Sequence, residues 1–116
     1  MNKIILALDV DMDIAVQLVN DLAPEIDVFK IGHPLFIQAG ERICNLITEK
    51  GKQIFLDFKY HDIPNTVNHA VLNVCTKYKP FMLTLHASGG AKMMSAAVDA
   101  VRNLNPAVQP LLLGVS

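Results

Sequence analysis

The chain has 116 residues, 52% of them apolar, and a net charge of −1, so it has material for a core and is not a disordered segment. Mixed signs leave no basic stripe for nucleic acid and no polybasic patch for an anionic membrane surface. The two cysteines, Cys44 and Cys75, fall inside apolar helical patterns with no CxxC or HExxH spacing, which predicts packed, reduced thiols rather than a disulfide or a metal pair.

Lys3 to Asp9 is an apolar run closing on a charge, the pattern of a parallel strand buried on both faces. Its core, Ile4 to Leu8, is too short to span a membrane. Asp9 stands where a signal peptide would need small residues, so a cytoplasmic protein is expected. Asp11 or Asp13 can cap a following helix with Ile14, Leu18 and Leu22 at every fourth position, which Pro24 stops. Val28 to Gly32 reads as the second strand, with Lys30 inside it. A short helical turn after His33-Pro34 and a helix from about Gly40 to Lys50 follow, with Gly51 at the C-cap. The third strand begins at Gln53. Pro64 suits the first turn of a helix that continues to about Tyr78, and Pro80 ends it. Phe81 to His86 is the fourth strand. Ser88-Gly89-Gly90 loops into a helix containing Met93, Met94, Ala97, Val98 and Val101, Asn105-Pro106 stops it, and Pro110 to Ser116 opens a fifth strand.

Strand and helix alternating at roughly thirty-residue intervals mean βαβ units and a parallel sheet. An open doubly wound sheet and part of a (β/α)8 barrel both fit. Side-chain parity favours the barrel. If Leu6 and Leu8 face the helices, Asp9 faces inward, and the same count turns Lys30, Asp57, Lys59, Thr84 and His86 inward. Polar residues then converge at the C-terminal strand ends, where barrels carry their active sites.

The densest concentration of charge is Asp57-Phe58-Lys59-Tyr60-His61-Asp62, which runs straight out of the apolar Ile54-Phe55-Leu56. Charges placed where a buried strand should be apolar must be paired, hydrogen-bonded or held for chemistry. The plain alternatives are an ion pair closing the strand for Asp57 and Lys59, a snorkelling lysine for Lys30, and a turn cap for Asp9. Asp62 and Thr66 can be a capping pair for the helix that follows. His61 and His86 read as orienting or structural hydrogen-bond partners, and Gly89-Gly90 as a loop.

The stretch Asp57-Phe58-Lys59-Tyr60-His61-Asp62-Ile63-Pro64-Asn65-Thr66-Val67 closely resembles the motif of the orotidine 5'-phosphate decarboxylases. Ala7-Leu8-Asp9, Lys30-Ile31-Gly32 and Thr84-Leu85-His86-Ala87-Ser88-Gly89-Gly90 agree with it. DxKxxD alone also occurs in sugar-phosphate lyases of the same barrel superfamily, while the continuation HDIPNT is specific. The resemblance implies an α/β fold that is a partial TIM (β/α)8 barrel, about the first four βα units plus the start of the fifth strand. Residues 1–116 would be the N-terminal part of a single barrel domain.

It also implies roles. Lys59 would be the central ammonium, flanked by Asp57 and by Asp62 from the other subunit of a homodimer, with Lys30 joining the charge row. Asp9 and Lys30 would contact ribose hydroxyls, and Ile63 and Thr66 would line the site across the interface. The substrate would be orotidine 5'-phosphate, the product UMP, and no metal or organic cofactor would take part. The family's phosphate-gripping arginine and glutamine belong to the later half of the barrel, and a complete barrel needs about 250 residues. The 116 residues are therefore expected to form an incomplete enzyme with an exposed edge at the first strand. The alternatives are a non-catalytic, self-associating fragment and a metal-dependent sugar-phosphate lyase.

Overall fold

The computed structural model describes residues 2–116 and alternates strand and helix throughout. The strands are β1 (Ile5–Ala7), β2 (Val28–Gly32), β3 (Gln53–Tyr60), β4 (Met82–His86) and β5 (Leu111–Val115). The helices between them are α1 (Met12–Leu22), α2 (His33–Glu49), α3 (Pro64–Tyr78) and α4 (Ala91–Arg102). The strands follow one another in chain order, β1-β2-β3-β4-β5, as parallel neighbours joined through helices must when each crossover moves one place along. The chain forms two compact units that divide within β3, one ending at Asp57 and the other beginning at Phe58.

In the first unit, β1 pairs with β2 and β2 with β3 in parallel register, with Leu6 opposite Phe29 and Phe29 opposite Ile54. Phe29, Ile31 and Leu56 are fully buried, and Ala15 and Val19 of α1 and Ile43 and Ile47 of α2 are buried with them. These apolar positions recur at strand and helix spacing, so their burial drives the segment into this arrangement. The strand expected over Lys3 to Asp9 is shorter, because only Ile5–Ala7 hold the full ladder. Bonds from the Asp27 and Val28 N–H groups to Ile4 O and from Leu8 N–H to Lys30 O extend the pairing at either end. Ile4 and Ile5 are exposed.

The short turn after His33 and the helix from Gly40 form one helical stretch with a break at Ala39, whose φ of −161° and ψ of 40° are not helical. Gly40 follows the break. A Cβ there would lie 2.6 Å from the ring of Phe36, so a side chain could not share that space. At the far end Gly51, with φ +73°, turns the chain out of the helix toward β3.

In the second unit, β4 and β5 run in parallel register from Met82 opposite Leu111 to His86 opposite Val115. The core is Val67, Val71, Val74 and Cys75 of α3, Leu83 and Leu85 of β4, and Met93, Ala97, Ala100 and Val101 of α4. Asn68 ties the two helices together by donating its side-chain amide to Ala96 O at 2.9 Å. Pro64 opens α3 as expected, its missing N–H costing nothing in the first turn. Lys79 closes it in the left-handed conformation, φ 50°, immediately before Pro80.

Candidate functional site

The first unit brings Lys30 and Asp57 together. Lys30 is the third residue of β2, and Asp57 lies opposite Gly32, two positions further along the paired strands. That diagonal offset suits a long amine and a short carboxylate. The Nζ of Lys30 lies 3.5 Å from Oδ2 of Asp57, with the side chains 26% and 15% exposed. Their neighbours Phe29, Ile31 and Leu56 are buried on the opposite face, so alternation leaves the two charges sharing one face of the sheet.

Asp9 follows β1 and is exposed. It lines a pocket of about 370 Å³ together with Asp11, Gly32, Pro34, Leu35 and Gln38, among others. Asp11 occupies the N-cap position of α1, yet its carboxylate makes no capping bond. The amide oxygen of Gln38, reaching from α2, takes the Met12 N–H at 2.7 Å instead. The capping expected of Asp11 or Asp13 is thus supplied from elsewhere in the unit.

In the second unit, Lys59, Asp62, Ile63 and Thr66 follow one another from the end of β3 into α3, all exposed. The extended backbone on which the inward count depends gives way at Lys59, whose φ is +48°. A non-glycine residue in this region costs about 1–2 kcal/mol. Its N–H donates to the hydroxyl of Thr84 on β4 at 2.9 Å. Thr84 is 2% exposed, a buried polar residue inside an otherwise apolar strand. Parity counted it among the inward residues without giving it a role.

The capping pair considered for Asp62 and Thr66 does not form. The N-cap of α3 is Ile63, no side chain caps the helix, and the Asp62 carboxylate accepts the N–H of its neighbour Ile63 at 2.7 Å. Proline at the first turn already removes one of the N–H groups a cap would satisfy. Ile63 is 65% exposed.

His86 and His61 stack, their ring centroids 5.3 Å apart and their planes inclined by 19°. His86 Nδ1 accepts the Ser88 N–H at 3.3 Å and lies 2.6 Å from the Ser88 hydroxyl, which fixes its proton on Nε2 when the ring is neutral. Ser88 belongs to a 3-10 turn over Ala87–Gly89, and α4 begins two residues beyond it.

Both cysteines are free and buried. Burial raises the Cys44 thiol from 9.0 to about 12 and the Cys75 thiol to about 11. The Tyr60 phenol is pushed up to about 12, first by burial and then by the charge of Cys75. The folded chain holds these protons more tightly than the unfolded one. Their contribution to stability is therefore complete below pH 9.0 and is lost as pH climbs through about 12. Urea midpoints are expected to hold steady up to about pH 9 and then fall, and Cys44→Ala or Cys75→Ala should flatten the fall. An undiminished midpoint at about pH 11 would contradict the assignment.

Among the described residues no group of three His, Cys, Asp or Glu side chains is placed to hold a metal ion. No described helix is long and apolar enough to cross a membrane.

Comparison with known proteins bears on the chain as a whole. The family model described as "Orotidine 5'-phosphate decarboxylase / HUMPS family" matches residues 2–116. An orotidine 5'-phosphate decarboxylase of Syntrophomonas wolfei is 47% identical over 102 residues, covering 87% of this chain and 42% of that protein. The crystal structure of the orotidine 5'-phosphate decarboxylase of Lactobacillus acidophilus superposes with a TM-score of 0.83 at 32% identity, over 100% of this chain and 53% of that one. That of the Methanocaldococcus jannaschii orotidine 5'-monophosphate decarboxylase, complexed with inhibitor BMP, gives 0.79 at 31% identity over 90% and 49%. The chain spans about half the length of the relatives it matches, and its parallel α/β alternation matches about half of those barrels.

Proposed function

We propose, since this chain belongs to the orotidine 5'-phosphate decarboxylase / HUMPS family, that it carries the charge row of an enzyme that removes CO2 from C6 of orotidine 5'-phosphate to give UMP. The observation that carries this reading is the Lys30–Asp57 pair at 3.5 Å on the face of the sheet opposite the core. Directly after Asp57 the chain runs through Lys59 into HDIPNT.

The chemistry calls for such a row. Loss of CO2 leaves an electron pair in the plane of the pyrimidine ring with no adjacent π system to spread it. A fixed cation beside C6 is the available stabiliser. Lys59 supplies that cation and then the proton that C6 takes up, while Asp57, and Asp62 from the other subunit, keep the amine charged and aimed. Lys30 holds Asp57 and, with Asp9, meets the ribose hydroxyls. Ile63 and Thr66 close the site from the other subunit of a homodimer, a role that suits their exposure. Binding of the remote phosphate is spent on orienting the reacting end. The reaction uses no metal or organic cofactor, and the enzyme works in the cytoplasm, with no part for nucleic acid or membrane.

The test is release of CO2 from orotidine 5'-phosphate by two proteins: the 116-residue chain alone, and the chain joined to the portion of the Syntrophomonas wolfei relative that it does not cover. The joined protein is expected to turn over in the presence of EDTA, and the chain alone to show little or no turnover. A joined protein that folds and binds no UMP would sink the proposal. One that is silent on orotidine 5'-phosphate but acts on a sugar phosphate only with magnesium would identify a lyase of the same superfamily.

A further inference from the structure

Two lysines adopt a left-handed backbone, Lys59 at φ 48° and Lys79 at φ 50°. Lys79 needs no special explanation, because it is the C-cap of α3 and helices commonly end in that conformation. Lys59 lies within a strand, flanked by Phe58 and Tyr60, where extended backbone is the rule. Something must hold it there, since side chains avoid this region unless their surroundings over-determine it.

The holder is visible. The Lys59 N–H is taken by the side-chain oxygen of Thr84 at 2.9 Å, and Thr84 is buried between Leu83 and Leu85, themselves buried. A buried acceptor on a packed strand has few other positions available. Aromatic packing within β3 itself adds a second restraint. Phe58 and Tyr60 meet edge to face at 5.8 Å on either side of Lys59, an attraction that favours the positions the two flanking residues hold.

We propose that Thr84 is a positioning residue for Lys59, its hydroxyl fixing the turn of backbone from which the amine is presented to the reacting carbon. This rests on the decarboxylase reading for its effect on rate, and on the geometry alone for its effect on the backbone. The two are separable by experiment. Thr84→Val keeps the branched shape and removes the acceptor, while Thr84→Ser keeps the acceptor.

Amide hydrogen exchange of the 116-residue chain reads the backbone. In Thr84→Val the Lys59 amide is expected to exchange about tenfold faster, with the Leu83 and Leu85 amides unchanged, and Thr84→Ser is expected to restore protection. In the joined protein described above, Thr84→Val should lower kcat by about 10²-fold with KM little changed, the mark of a misplaced reacting group rather than lost binding, and Thr84→Ser should recover most of it. Uniform acceleration of exchange throughout β4 would make Thr84 a merely structural residue and overturn the proposal. So would faster Lys59 exchange with kcat intact while Lys59→Ala abolishes turnover. Should Lys59→Ala itself leave turnover intact, the decarboxylase reading fails, and the exchange result still decides whether Thr84 holds the backbone.

Discussion

Replacing Lys59 by alanine in the joined protein is expected to lower the rate of CO2 release by at least about 10⁴-fold while the fold survives. The size follows from the two duties that the proposed reaction gives this one group. A positioned acid contributes on the order of 10²–10⁴ and a preorganised charge on the order of 10²–10³, and alanine removes both. The fold survives because Lys59 is exposed and its amine belongs to no apolar cluster. Alanine even retains the N–H that Thr84 accepts. Steady-state turnover beside a thermal unfolding curve checks both halves. A variant with a tenth of the parent rate would remove Lys59 from the chemistry.

Phe29→Ala is expected to produce the opposite profile, a loss of about 3–5 kcal/mol in urea unfolding. Phe29 is 0% exposed and stands on β2 between Leu6 and Ile54 in the register of the first unit. Its removal leaves a hole bounded by two paired strands whose hydrogen bonds prevent them from collapsing to fill it. Whole domains hold together by only about 5–15 kcal/mol, so this single change takes a large part of the total. Lys30→Met, one residue along the same strand, is the informative contrast. It keeps the apolar stem and removes a partly exposed charge, and it should cost at least about 2 kcal/mol less than Phe29→Ala. Equal losses for the two would mean that the Lys30–Asp57 pair is there to hold the sheet, and the catalytic reading of that pair would weaken accordingly.

Much of this was legible from residue order because periodicity reports burial. The unbroken Val28 to Gly32 run and the apolar steps of α3 from Val67 to Cys75 lie where their patterns put them. Pro64, Pro80 and Gly51 marked boundaries through backbone chemistry that does not depend on neighbours. The face shared by Lys30 and Asp57 followed from alternation alone. Less legible were features set by contacts between distant segments. Nothing local to Met12 shows that Gln38, 26 residues later, takes its N–H. β1 pairs only with Val28 to Lys30 although β2 runs on to Gly32, a limit that its own apolar run does not show. The positive φ of Lys59 arises from an acceptor on β4, and a strand reading of Leu56 to Tyr60 has no means of registering it. Asp62 and Thr66 fitted a capping pattern, but the proline between them removes one of the N–H groups that pattern serves, and the Asp62 carboxylate takes the Ile63 N–H instead.

Gln38 carries one more implication. By accepting the first free N–H of α1 it anchors the C-terminal side of the loop that bears Asp9. During synthesis on the ribosome that bond cannot form until residue 38 has emerged. The loop that bears Asp9 and the helix that steadies it are thus joined by a contact that spans 26 residues of chain.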